Sequence, residues 1–163
     1  MSWKKLLHKS VITVADLQQQ LACSGIGLDA VIEQYPMRIN PYYLSLIKKY
    51  GKPLLKQAVP DVLELHDTVC YEDPLAEENL SPVANLIHKY PDRVLFLVHN
   101  QCAVYCRFCT RKRKVGTSRM EISERTISAG IDYIRNTPQV RDVLVSGGDP
   151  FLLSDERLDD LLS

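Results

Sequence analysis

The chain has no long apolar run. Its longest, Val94-Leu95-Phe96-Leu97-Val98, is far short of the roughly 18 residues that a membrane-crossing helix requires. It has no net charge either: 20 basic residues balance 20 acidic ones, which argues against a whole-chain nucleic-acid or membrane-surface binder. The lysines of Met1-Ser2-Trp3-Lys4-Lys5-Leu6-Leu7 run into His8-Lys9-Ser10 rather than an apolar stretch, which reads against a secretory leader. Internal repeats and low-complexity tracts are missing. Cysteines are few and odd in number, five in all, and Cys102, Cys106 and Cys109 crowd into one short segment. That is a poor disulfide framework and a good metal-site pattern, which points to a reducing, cytoplasmic compartment. What is present, 45% apolar and 25% charged residues over 163 positions, reads as a soluble globular chain of ordinary domain size, and the strand–helix alternation of residues 93–163 makes it α/β.

Residues 1–92 read as a helical amino-terminal arm. Thr13 with Asp16 resembles a capping box, after which Val14, Leu17 and Leu21 share a helical face that Gly25 or Gly27 ends. Leu28, Val31, Ile32 and Tyr35 follow at helical spacing, stopped by Pro36. Asn40 then caps a helix over 41–50, with Pro41 at its first position and Gly51 after its last. Pro53, Pro60, Pro74, Pro82 and Pro91 make the stretch after Gly51 read as a winding arm. At Arg93 the texture changes. Residues 94–98 and 142–146 read as strands buried on both faces. Between them Ser123 caps a helix carrying Ile127, Ile131 and Ile134, and a further helix begins near Ser154 or Asp155. Residues 93–163 thus read as the first two βα units of a larger parallel sheet or barrel, since two parallel strands alone leave both faces and edges uncovered. On this reading the chain is the front of a longer protein, and alone neither folds well nor turns over substrate.

The chemistry lies in Cys102-Ala103-Val104-Tyr105-Cys106-Arg107-Phe108-Cys109, a C-x3-C-x2-C spacing just after a strand. Thiolates are the usual ligands of iron–sulfur clusters, and three of them leave one iron of a cubane open for a small molecule. The carboxyl ends of parallel strands are where such sheets bind ligands. Two other readings stay open. Zinc could be held by the cysteines with His99, and Arg111-Lys112-Arg113-Lys114 would then form a basic binding face; zinc ligands, however, usually come as separated pairs, and no second pair exists. Three buried structural cysteines are the remaining alternative.

C-x3-C-x-aromatic-C is the cluster motif of radical S-adenosylmethionine enzymes. With residues 91–98 before it, Thr110 through Lys114 after it, and Ser146-Gly147-Gly148-Asp149-Pro150 downstream, the chain resembles the lysine 2,3-aminomutase family. Arg38-Ile39-Asn40-Pro41-Tyr42-Tyr43, Asp73-Pro74-Leu75 and Ser81-Pro82-Val83 also match its amino-terminal arm. The resemblance implies a truncated partial (β/α) barrel. It implies a [4Fe–4S] cluster on Cys102, Cys106 and Cys109, with S-adenosylmethionine on the open iron. Phe108 would lie beside the adenosyl part, and core packing is its alternative role. Gly147, Gly148 and Asp149 would meet the methionine ammonium, where an ordinary strand-to-helix turn is the alternative. Arg93 would contact the phosphate of pyridoxal phosphate and Arg111 the substrate carboxylate. Cys23 and Cys70 are taken as non-ligands. The implied reaction is radical migration of an amino group to the adjacent carbon.

The lysine that binds pyridoxal phosphate lies near the family's carboxyl end, so no lysine here is nominated for it. The substrate is then a free amino acid, lysine or another, or a lysine on a partner protein, with no nucleic acid or membrane involved. The alternative is an inactive cluster-binding fragment completed by a second chain or another copy of this one.

Overall fold

A computed structural model of the chain describes residues 3–163. Met1 and Ser2, which open the stretch read against a leader, lie outside the described residues. The chain divides into two compact units, Met1–Tyr71 with Ala103–Arg113, and Glu72–Cys102 with Lys114–Ser163.

The first unit is helical: α1 (Trp3–Leu7), α2 (Val14–Gln20), α3 (Leu28–Gln34), α4 (Pro41–Tyr50) and α5 (Lys52–Ala58), then a 3-10 turn over Val62–Leu65. Local chemistry sets the starts. Thr13 Oγ1 accepts the Asp16 N–H at 3.1 Å at the head of α2, and Asn40 Oδ1 accepts the Tyr43 N–H at 2.9 Å at the head of α4. Two details differ from expectation. Helix α2 ends at Gln20 with Leu21 as its cap, and Gly27 instead leads into α3. The stretch after Gly51, read as a winding arm, begins with α5, whose early Pro53 is tolerated because first-turn amides have no intrahelical partner. Val14, Leu17, Ile39, Leu44, Ile47 and Ala58 form the core. Backbone bridges join Val11 to Ile39 and Ile39 to Val104. Residues 103–113 are thereby sewn into this unit.

The second unit is built on a three-stranded sheet of order β1-β2-β3. Strand β1 (Leu86–Tyr90) pairs antiparallel with β2 (Arg93–His99), with Leu86 opposite Phe96; β3 (Asp142–Gly147) pairs parallel with β2, with Val145 opposite Phe96. A parallel pair needs a crossover, and α6 (Glu124–Arg135) supplies it, capped by Ser123 as the sequence indicates. Helix α7 (Asp155–Leu162) follows its cap Ser154. Ile127, Ile131 and Ile134 of α6 pack with Leu86, Val94, Phe96 and Val98. The approach is so close that a Cβ on Gly130 would fall on the Phe96 ring.

Strand β1 is a correction to the arm reading: its Leu86 and Ile87 are both buried while Lys89 and Tyr90 are exposed, so no period of two announces it. The second correction is β3. Its apolar residues predict burial on both faces, yet Val143 and Leu144 are exposed, because β3 is an edge strand among the described residues. No helix among the described residues is long and apolar enough to cross a membrane.

Candidate functional site

In the second unit, the carboxyl ends of β2 and β3 are joined by main-chain bonds. The Gly148 N–H donates to the His99 carbonyl at 2.5 Å, and the Asp149 N–H donates to the Gln101 carbonyl at 2.7 Å. Gly147 has φ of 121°, and a Cβ there would fall on the His99 carbonyl; a Cβ on Gly148 would fall on that of Gln101. Both positions therefore require glycine, one for its backbone conformation and both for the close approach. Asp149 is engaged locally, its Oδ1 accepting the Phe151 N–H at 3.1 Å. Cys102 comes directly after Gln101, so the strand pairing that fixes the glycines also fixes the chain leading into the cysteine segment. Asn100 was not singled out by sequence. Its Nδ2 donates to the carbonyls of Thr117 at 3.3 Å and Met120 at 3.0 Å, and its own carbonyl accepts the Gly116 N–H at 2.7 Å. It holds the loop after the cysteines against the end of β2.

Arg93 opens β2, at the strand end away from the glycines and roughly 20 Å from them along the strand. The structure does not bring it to that motif. Its guanidinium is half-exposed and meets both Asp92 carboxylate oxygens, at 3.1 and 3.2 Å. This contact, more than any other, pulls the Asp92 carboxyl below its ordinary range.

In the first unit, the segment from Ala103 to Arg113 is fixed at every turn. The Tyr105 N–H donates to the Arg38 carbonyl at 3.0 Å and the Arg107 N–H to the Gln57 carbonyl at 2.8 Å. Between these anchors stands Cys106, hydrogen-bonded to Cys109; burial first, then the neighbouring Cys109, pushes the Cys106 thiol pKa up. The Arg111 N–H donates to Cys109 Sγ at 3.3 Å. Phe108 is 70% exposed. All five cysteines are free thiols. Cys106 and Cys109 are together, Cys102 belongs to the second unit, and among the described residues no three Cys, His, Asp or Glu side chains are gathered as a metal-holding group.

An ion network that sequence reasoning missed surrounds Arg107. Its Nε and Nη2 meet Glu64 Oε1 and Oε2 at 3.0 and 2.8 Å, while Nη1 and Nη2 donate to the carbonyls of Pro36 at 2.9 Å and Tyr35 at 3.2 Å. Lys112 Nζ reaches Glu64 Oε2 at 3.1 Å and lies 4.4 Å from the centre of the Tyr35 ring. Burial alone would raise the Glu64 pKa, but Arg107, the Asp61 amide and Lys112 together draw it below its ordinary value of 4.5. Glu64 and Arg107 lie 43 positions apart, and nothing local in either neighbourhood signals the pairing.

Comparison with known proteins gives a consistent answer, although no family model matches the chain. It is 46% identical over 163 residues to an L-lysine 2,3-aminomutase of Acetoanaerobium sticklandii, covering 96% of this chain and 39% of that protein. It is 51% identical over 140 residues to the Methanococcus maripaludis protein of the same name, covering 83% of this chain and 32% of the relative. A glutamate 2,3-aminomutase of Clostridioides difficile is 41% identical over 80% of this chain and 31% of its own length. The chain thus spans about two fifths or less of the curated relatives it matches. By sequence, it belongs to the lysine 2,3-aminomutase family.

Proposed function

We propose that this chain carries the cluster-binding part of an aminomutase that moves an amino group between adjacent carbons of an amino acid. The observation that carries the reading is the C-x3-C-x2-C segment, entered from a strand end that is bonded to a glycine pair. Cys102, Cys106 and Cys109 would hold a [4Fe–4S] cluster with one iron open. Their donor chemistry fits, because thiolates are the usual ligands of iron–sulfur clusters. The Arg111 amide on Cys109 Sγ is the kind of hydrogen bond that tunes a cluster sulfur.

Gly147, Gly148 and Asp149 would receive the methionine end of S-adenosylmethionine, and exposed Phe108 would offer its ring to the adenosyl part. Arg111 would hold the substrate carboxylate through its fork geometry. The resemblance would also give Arg93 the phosphate of pyridoxal phosphate, but its place at the end of β2 away from the glycines, in contact with Asp92, does not fit that role, and no step is assigned to it. When bound, these cofactors supply the radical and carry the migrating amino group, while the protein orients and shields them. The β2-α6-β3 unit would be one element of a partial (β/α) barrel. The reading extends to a cytoplasmic enzyme acting on an amino acid or a protein-borne lysine. It includes a second chain, or a second copy, completing the barrel.

The test is titration of S-adenosylmethionine into the anaerobically reconstituted, reduced protein, followed by electron paramagnetic resonance. The proposal expects the cluster spectrum to change with saturable dependence on ligand. An intact cluster whose spectrum ignores saturating ligand contradicts it.

A further inference from the structure

We propose that Glu64 is a positioning residue for the cysteine loop: one carboxylate, clamping Arg107 and Lys112, sets the placement of Cys106 and Cys109. The consequence for cluster loading rests on the cluster reading above; the clamp itself does not. Arg107 directly follows Cys106, and Lys112 stands three residues beyond Cys109, so the two oxygens of Glu64 grip the loop next to Cys106 and on both sides of Cys109. The grip is shielded, with side-chain exposures of 7% for Arg107 and 13% for Glu64. A bidentate fork with two further carbonyl acceptors fixes the guanidinium in position and orientation, which a lysine at 107 could not reproduce. Glu64 is itself anchored, because the Asp61 N–H donates to its Oε1 at 3.1 Å and Asp61 Oδ1 caps the same 3-10 turn. The carboxylate is therefore also held by a partner outside the cysteine loop. Short-range packing alone would not demand two opposite charges at a place so little exposed. The arrangement suits a loop whose thiols must stay fixed both with and without a ligand.

The test uses the full chain without metal, with iodoacetamide as probe and peptide mass spectrometry to read alkylation at each cysteine. Cys23, packed against the core of the same unit, is the internal control for unfolding. In Glu64→Gln, alkylation of Cys106 and Cys109 is expected to rise at least about tenfold with Cys23 unchanged, as loss of one partner of a shielded ion pair frees the loop. Lys112→Met, which leaves the Arg107 fork intact, is the milder variant and is expected to raise Cys109 more than Cys106. Unchanged rates at Cys106 and Cys109 overturn the proposal. So does a parallel rise at all three cysteines in both variants, which would make the network a general support of the unit. In a second readout, anaerobic reconstitution of both variants is expected to give less iron per chain than the parent, and equal iron overturns the link to loading. If the parent itself takes up no cluster, the cluster reading fails while the alkylation ratios still decide the clamp.

Discussion

The loop of residues 103–113 and the strand ends at residues 99–101 and 147–149 reach fixed geometry by different means. The strand ends are joined to each other through the main chain: parallel pairing, two short amide–carbonyl bonds, and glycines where any Cβ would collide with a carbonyl. The cysteine loop adds side-chain charge to its main-chain anchors, with one glutamate bridging an arginine and a lysine. Main-chain fixation tolerates no added atom, whereas the clamp fails on loss of charge or of the guanidinium's fork geometry. The two regions should therefore break under different substitutions.

The largest expected effect is Gly147→Val. It combines a φ of 121° with a collision against the His99 carbonyl, and should destabilise the chain by on the order of 4 kcal/mol in chemical denaturation. A loss below about 1 kcal/mol would show that the strand ends can move apart, and the contrast would lose its rigid half. Next is Arg107→Ala, which leaves the Glu64 carboxylate with only Lys112 and the Asp61 amide and removes the donor to two carbonyls, and should cost about 3 kcal/mol. Arg107→Lys should recover only part of this, since it restores charge without the fork. Equal stability of the Lys variant and the parent would reduce the clamp to simple charge pairing.

A smaller effect is the pH dependence of the clamp. The folded pKa of Glu64 lies below its ordinary 4.5, so the unfolded state binds the proton more readily. Its stabilisation is complete above the unfolded pKa and is lost as pH falls through the lowered folded pKa. Glu64→Gln should therefore remove part of the acid-induced loss below about pH 4.5, where free glutamate titrates, as read from urea midpoints. An identical acid limb in parent and variant would contradict the lowered pKa. The smallest effect is Phe108→Ala: at 70% exposure it should change stability by less than about 0.5 kcal/mol, while weakening any spectroscopic response to S-adenosylmethionine.

The same contrast explains what the sequence made legible. Elements governed by neighbouring residues were readable: Asn40-Pro41 heading α4, Ser123 heading α6, Ser154 heading α7, and the glycine pair after β3. Strand β1 was not, because its burial pattern follows from pairing with β2 and its own residues do not alternate. The apolar run of β3 named the strand and overstated its cover. At the site, the three cysteines stood out by spacing. Glu64 did not, for its role exists only through a partner 43 positions away. Asn100 is intermediate: a polar residue directly after a buried strand is a visible oddity, though its two carbonyl partners are not.

The cluster proposal requires that Cys102, Cys106 and Cys109 act as one ligand set, with Cys23 and Cys70 outside it. Anaerobic reconstitution of the parent and five single cysteine-to-alanine variants, with iron and sulfide measured per chain, tests this most directly. The expected result is about four of each in the parent and in Cys23→Ala and Cys70→Ala, and loss of the cluster in the other three. Stoichiometric zinc with no iron–sulfur absorption, or full loading in any of Cys102→Ala, Cys106→Ala and Cys109→Ala, would contradict it.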